Sequence, residues 1–359
     1  MSSTQDCKFE GWAGIDDNAT KGGMVFKTFT PKTWDEDDID VKVLYCGICG
    51  SDVHALSGDW GALSPDKPSV CGHEIVGEVV RVGGKVTNGI KLGDHVGIGA
   101  QSDSCRECEG QVCSKITWTM NSPYHHGNAK IAGSISKGGF AKFWRGPSGY
   151  AVKIPQQLDL ASAAPMFCGG ITVYSPLEDY GAGTKAKTVG VIGIGGLGHY
   201  AVMFAKAMGA NVTAISRSKD KAEDAKTLGA DKYIAMSEGT KGHEGSLDLI
   251  ICTINPDTLD LLPYLPMLDA YGTLVIVGIS PGLNVSCGAL IGGNRKVSGS
   301  NIGSPDQIKR MLQLVVDNKI ESWIQKYDMD NINQALNDFE EVGPRFRYVL
   351  VNKDNGGKL

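Results

Sequence analysis

Four residues that could bind a soft or borderline metal stand out in this 359-residue chain. Cys49 lies in Cys46-Gly-Ile-Cys49-Gly-Ser51-Asp52-Val-His54, His73 and Glu74 in Gly72-His73-Glu74, and Cys168 in Met166-Phe167-Cys168-Gly-Gly. Two thiolates, an imidazole and a carboxylate suit zinc. Cys49, His73 and Cys168 would leave a coordination position open, as a catalytic zinc requires. Glu74 is the fourth candidate, able to ligate at rest and withdraw when substrate arrives. Asp52 is placed to orient an imidazole from behind by a hydrogen bond. Singly, each cysteine reads as a buried thiol and His73 as a satisfied core histidine. Together, in their Gly-His-Glu and Cys-Gly-Gly contexts, they predict a catalytic metal site.

The second constellation is a glycine turn. Val189-Gly-Val-Ile192 reads as a buried strand, followed by Gly193-Ile-Gly195-Gly196-Leu197-Gly198 and a helical pattern. A strand before and a helix after give G-x-G-x-x-G its meaning as a dinucleotide site. The first glycine makes the turn, the second admits the pyrophosphate, and the third packs helix on strand. The next apolar run, Val212–Ile215, ends in Ser216-Arg217-Ser218-Lys219-Asp220-Lys221, with no acid at the strand end to hold ribose hydroxyls. Ser216, Arg217, Ser218 and Lys221 would neutralise and hydrogen-bond a 2′-phosphate, so NADP(H) is the expected cofactor. A metal beside a nicotinamide suits polarising a carbonyl oxygen while hydride reaches its carbon.

These residues need two kinds of scaffold. Up to about Val152 the chain offers short apolar runs, Ile39–Tyr45, Ile75–Val82, His95–Ile98 and Ala141–Trp144, broken by turn residues. That spacing suggests a twisted β-barrel. Beyond it, Val189–Ile192, Val212–Ile215, Leu247–Ile251 and Leu274–Val277 alternate with helical patterns at His199–Met208 and Asp220–Leu228. Strand–helix alternation predicts a parallel, doubly wound sheet. The tail carries helical patterns at Asp306–Asn318 and Asn331–Val342 and a closing strand, Arg347–Val351. The expected α/β layout is a catalytic domain from residues 1–169 and 303–359, with a nucleotide domain at 170–302 inserted.

Composition narrows the class. Hydrophobic residues are 42% and charged residues 21% of the chain, ordinary for a globular protein. A net charge of −5 argues against a nucleic-acid or anionic-membrane surface. The sequence offers neither a membrane-span pattern nor a secretory leader, so the ten cysteines read as metal ligands or buried thiols of a cytoplasmic protein.

Gly-Ile-Cys-Gly-Ser-Asp-Val-His, Gly-His-Glu-Ile-Val-Gly, Cys-Gly-Gly-Ile-Thr-Val-Tyr-Ser-Pro-Leu and Gly-Ile-Gly-Gly-Leu-Gly-His, in this order, resemble the zinc-dependent medium-chain alcohol dehydrogenases. The likeness covers nearly the whole chain. It is greatest to the cinnamyl alcohol dehydrogenase-like branch and its fungal NADP-dependent enzymes of broad aldehyde specificity. The resemblance implies a GroES-like β-barrel catalytic domain and a Rossmann domain. It also implies reduction of aldehydes to primary alcohols, a small-molecule substrate and a homodimer formed through the nucleotide domains. It makes Ser51 the group that passes the alcohol proton onward and His54 the next in the relay. It places Thr172 near the nicotinamide, Arg347 near the pyrophosphate and Trp60 in the substrate-pocket wall. Asn301 stands where many relatives carry a bulky apolar residue, which implies a roomier or more polar pocket.

The chain departs from that family at the lobe where a second, structural zinc sits on four cysteines. Here Cys105, Cys108 and Cys113 remain, with Gln111 where the third cysteine belongs. Three thiolates do not close a tetrahedral site. Either Glu107, Glu109, His125 or His126 supplies a fourth ligand, or the lobe holds no metal. Two other functions compete with aldehyde reduction: reduction of a C=N or conjugated C=C bond, and a non-catalytic NADPH-binding redox sensor. Intact Ser51 and His54 and a complete ligand set speak against the first, and the complete ligand set against the second. Polyol oxidation is a lesser alternative, because such enzymes usually favour NAD.

Overall fold

A computed structural model describes residues 7–106, 115–125 and 134–359. The chain divides into two compact units. One runs up to Cys168 and adds Ser304–Val316 and Glu321–Leu359; the other comprises Gly169–Gly303 and Asp317–Ile320.

The first unit is organised by one long strand, Asp38–Ile48, nearly all of it buried. Ile75–Val82 pairs along one of its edges, with register shifts at Asp40/Val41 and Val43/Tyr45. Such irregularities bend a strand. The other edge changes partner along its length: Asp38–Lys42 faces Phe143–Pro147, and Tyr45–Ile48 faces Tyr348–Val351. The seven-stranded sheet runs Ile324–Asp328, Arg347–Val351, Asp38–Ile48, Ile75–Val82, His95–Ile98 and Ala151–Lys153, with Phe143–Pro147 joining Asp38–Ile48 off that path. Its core gathers Ile39, Val41, Ile48, Ile75, Phe140 and Trp144 with Leu336 and Leu350 from the tail.

Three expected strands, Ile75–Val82, His95–Ile98 and Arg347–Val351, have the expected limits. The strand expected at Ala141–Trp144 instead spans Phe143–Pro147, because its register is set by Asp38–Lys42. The C-terminal helices are Pro305–Asn318 and Ile332–Glu341. The first buries Gln307, Ile308, Met311, Leu312 and Val315, the spacing of one helical face.

The second unit holds a six-stranded, all-parallel sheet in the order Lys232–Ala235, Asn211–Ser216, Thr188–Ile192, Leu247–Cys252, Leu268–Ile276, Lys296–Gly299. Chain order reverses beside Thr188–Ile192, the position at which such sheets bind nucleotides beyond their strand ends. Val189–Ile192 is buried on both faces, as a central parallel strand must be. Helix Gly198–Ala207 follows it and buries Tyr200, Val202 and Phe204. The helix expected over Asp220–Leu228 is a 3-10 turn, Lys219–Lys221, leading into a short helix, Ala222–Thr227. Lys232–Ala235, Lys296–Gly299 and, in the first unit, Ile324–Asp328 are strands that the apolar pattern did not predict. No helix among the described residues is long and apolar enough to cross a membrane.

Candidate functional site

Strand Asp38–Ile48 ends directly before Cys49, whose extended backbone (φ −110°, ψ 157°) starts helix Gly50–Leu56. Asp52, on the first turn of that helix, is fully buried. One carboxylate oxygen accepts from the Cys49 amide at 2.9 Å. The other accepts from the Gly72 amide at 2.8 Å and lies 2.9 Å from His73 Nδ1. An ionised carboxylate only accepts, so Nδ1 carries the proton and Nε2 is left as the metal-facing lone pair. One side chain thereby fixes both the Cys49 turn and the His73 ring.

Donor atoms of Cys49, His73, Glu74 and Cys168 all lie within 4.8 Å of one another. Glu74 immediately precedes strand Ile75–Val82, and its Oε1 is ion-paired with Arg347 at the start of Arg347–Val351. Its Oε2 is buried with no hydrogen-bond partner. Gly47 makes room for that oxygen: a Cβ on Gly47 would sit 1.9 Å from it. Cys168 follows a 3-10 turn, Ala164–Phe167, with Pro165 in its first positions.

The electrostatics are those of a site built for a cation. A hydrogen bond from Cys168, with further help from His73 and Arg347, holds the Cys49 thiol well below its ordinary range despite burial. Cys168, as the donor in that bond and buried, is pushed well above it. Burial opposes charge on His73, yet Asp52 and Cys49 outweigh burial and raise its pKa. Burial lifts Glu74 to about 7, against the pull of Arg347. Of the donors, Cys168 and His73 thus keep their protons and Cys49 gives its proton up most readily, and a divalent ion would displace the protons that remain. With two sulfurs, one imidazole nitrogen and an unpartnered carboxylate oxygen, the residues fit zinc, whose tetrahedral ligands stand roughly 3.3–3.8 Å apart.

The glycine turn is built from backbone. Gly193 has φ +87°, a left-handed conformation that favours glycine. A Cβ on Gly198 would meet the Gly193 carbonyl oxygen at 1.8 Å, so only glycine lets the helix start there. A Cβ on Gly195 would meet nothing within 4 Å, which leaves that face open to a ligand. Thr253, which the sequence did not single out, pins the turn: its hydroxyl lies 2.8 Å from the Ile192 oxygen and 3.0 Å from that of Gly193. Gly196 and Leu197 complete the turn.

Family models match on both units. Residues 35–156 match the alcohol dehydrogenase GroES-like domain, and residues 196–317 the zinc-binding dehydrogenase domain. A probable mannitol dehydrogenase from Medicago sativa is 39% identical over 350 residues, 95% of this chain and 94% of the relative. The chain belongs to the zinc-dependent medium-chain alcohol dehydrogenases. Within them it falls in the cinnamyl alcohol dehydrogenase-like branch: probable cinnamyl alcohol dehydrogenase 6 of Arabidopsis thaliana is 37% identical over 95% of this chain and 93% of its own length. A cinnamyl alcohol dehydrogenase structure from Sorghum bicolor is 35% identical, with TM-score 0.88 over 98% of this chain and 99% of that one. Another, from Helicobacter pylori in complex with NADP(H), is 31% identical, with TM-score 0.83 over 96% of this chain and 98% of that one.

The remaining candidates fall in several places on the dehydrogenase. Ser51 and His54 share helix Gly50–Leu56 at i and i+3, hence on one face. Half-exposed His54 has Nδ1 2.7 Å from Asp59 and stacks on Trp60, ring centroids 5.7 Å apart. Trp60 is 55% exposed, so it is no core tryptophan. Asp59 is a residue the sequence reading passed over; an acid five places after a histidine carries no motif. Arg347 lies against Glu74. Thr172 is buried on helix Gly169–Asp179, and Asn301 is exposed after strand Lys296–Gly299. Ser216 closes strand Asn211–Ser216, Arg217 is exposed, and Ser218 and Lys221 are half-buried. Cys105 is half-buried and His125 exposed, whereas Cys108, Cys113, Glu107, Glu109, Gln111 and His126 lie outside the described residues.

Proposed function

We propose that this dehydrogenase reduces aldehydes to primary alcohols with NADPH, reversibly, on a zinc held by Cys49, His73 and Cys168 with Glu74 as an interchangeable fourth ligand. The observation that carries the reading is the meeting of these four donors around a histidine oriented by Asp52. Zinc, when bound, supplies a Lewis acid for the carbonyl oxygen. Ser51 hands the proton on, His54 takes part next, and Asp59 holds the His54 ring at Nδ1. Arg347 compensates Glu74 when the carboxylate is not on the metal, and borders the pyrophosphate. Trp60 is assigned to the substrate, and Thr172 to the nicotinamide.

Gly193, Gly195, Gly196, Leu197 and Gly198 cradle the pyrophosphate, and Ser216, Arg217, Ser218 and Lys221 receive the 2′-phosphate. The NADP(H) complex of the Helicobacter pylori relative supports that cofactor. In this reading residues 170–302 are the NADP-binding domain, and 1–169 with 303–359 the catalytic one. A homodimer forms through the nucleotide domains, where exposed Tyr271, Leu283 and Ile291 offer apolar surface and Lys296–Gly299 is an outer strand. Unbridged buried Cys46, Cys71 and Cys252 suit a reducing, cytoplasmic location.

The test is oxidation of NADPH and of NADH with aromatic and aliphatic aldehydes, with zinc per chain measured on the same sample. Fast, chelator-sensitive NADPH loss is expected. An enal should yield the allylic alcohol; the saturated aldehyde would refute carbonyl reduction. Several relatives are named as probable mannitol dehydrogenases, so mannitol oxidation with NADP belongs in the same panel.

A further inference from the structure

Beyond its expected phosphate contacts, the loop Ser216–Lys221 is tied to its neighbours by a set of contacts with no motif of their own. Tyr233, on the adjacent strand Lys232–Ala235, donates its hydroxyl to the Ser218 carbonyl at 2.6 Å. The Ser237 amide donates to the Arg217 carbonyl at 3.0 Å. Lys219 pairs with Glu238 at 2.6 Å. Two successive carbonyls are therefore held by the next strand and the turn after it, while the Arg217 side chain stays exposed. A loop ordered in advance loses less conformational entropy when its ligand arrives.

Asp220 acts in the opposite direction. Its carboxylate accepts the Ser218 hydroxyl at 2.8 Å, engaging one of the groups offered to a phosphate. It also adds a negative charge to a loop whose other ionisable groups, Arg217, Lys219 and Lys221, are basic.

We infer that Tyr233 and Asp220 tune the preference for a 2′-phosphorylated cofactor from outside the phosphate contacts, Tyr233 by holding the Ser218 peptide and Asp220 by competing for its hydroxyl. Both are positioning residues. The inference rests on the reading that Ser216, Arg217, Ser218 and Lys221 receive the 2′-phosphate.

Calorimetric titration of the full chain with 2′,5′-ADP and with 5′-AMP tests it. Tyr233→Phe removes one hydroxyl and should weaken 2′,5′-ADP about fivefold, the size of one net hydrogen bond. Its affinity for 5′-AMP should stay within twofold, because the ribose and adenine sites are untouched. Asp220→Ala should tighten 2′,5′-ADP about threefold, as expected for removing the competing acceptor together with a solvent-screened like charge. The KM for NADPH should move with these affinities and the KM for NADH should not. Equal weakening of both nucleotides by Tyr233→Phe would make Tyr233 a fold residue only and overturn its role. An unchanged or weakened 2′,5′-ADP affinity in Asp220→Ala would overturn that of Asp220. Equal wild-type affinity for the two nucleotides would instead overturn the underlying phosphate reading, whatever the variants do.

Discussion

The metal cluster and the nucleotide turn are built on opposite plans. Cys49, His73, Glu74 and Cys168 come from separate stretches of chain and depend on buried partners, Asp52 and Arg347, to orient and compensate them. The turn at residues 193–198 is contiguous, and its essential features are a left-handed φ and two missing Cβ atoms. A site made of side chains fails when a donor is removed. A site made of backbone fails when an atom is added. The two plans therefore predict two distinct ways of losing one activity.

The largest effect belongs to the donors. Cys49→Ala or Cys168→Ala should abolish stoichiometric zinc and lower turnover by at least about 10³-fold, the worth of several kcal/mol of charge stabilisation. NADPH affinity, read by quenching of protein fluorescence, should stay within twofold. Turnover that survives either change would break the comparison at its root. Asp52→Asn is a milder form of the same loss. It keeps the shape but withdraws the anion that three groups share, so zinc affinity should fall about 10- to 100-fold, as for other removed partners of metal-bound histidines. Competition with a chromophoric chelator measures it.

Adding atoms to the turn should give the converse phenotype: zinc retained, cofactor lost. Gly198→Ala forces a methyl into the Gly193 carbonyl and should cost about 1–3 kcal/mol of stability. Gly195→Ala sharpens the point, because its methyl meets nothing within the chain. The melting temperature should hold within about 1 °C, since surface changes of this kind are near neutral. NADPH affinity should nonetheless drop about tenfold, as a ligand approaching that face would meet the new methyl. Unaltered NADPH binding in Gly195→Ala would mean that the open face is not where the cofactor lies.

The same contrast explains what could be read from sequence. A contiguous turn after an apolar strand declares itself, and so do inner strands such as Ile75–Val82, whose side chains are mostly apolar. Edge strands do not: Lys232–Ala235, Lys296–Gly299 and Ile324–Asp328 carry lysines and few buried side chains, a composition that discourages further pairing. Leu268–Ile276 begins earlier than Leu274, and its exposed Asp269, Ala270 and Tyr271 interrupt the continuous apolar run by which a buried strand is read. That residues 49, 73–74 and 168 meet follows from the fold; no spacing announces it, and the expectation rested on their residue types and glycine contexts with the family resemblance beside them. Tyr233, Thr253 and Asp59 were illegible for the same reason. Each acts through one contact that the tertiary structure creates, and a lone Tyr, Thr or Asp is common everywhere.

Asp59 supplies the smallest and most discriminating expectation. It is exposed, and the hydrogen bond from His54 holds its carboxyl below the usual range. His54 is held twice, by this carboxylate at Nδ1 and by the face of Trp60. Removing one restraint from a solvent-exposed ring should therefore blunt the proton path without closing it. Asp59→Asn should lower kcat about two- to fivefold, the usual scale for an exposed ion pair. KM for NADPH and zinc content should not move. Trp60→Leu should add to that loss only when combined with Asp59→Asn if the two restraints back each other up. Strictly additive effects on kcat would mean that carboxylate and indole act on different steps, with Trp60 serving the substrate rather than the histidine.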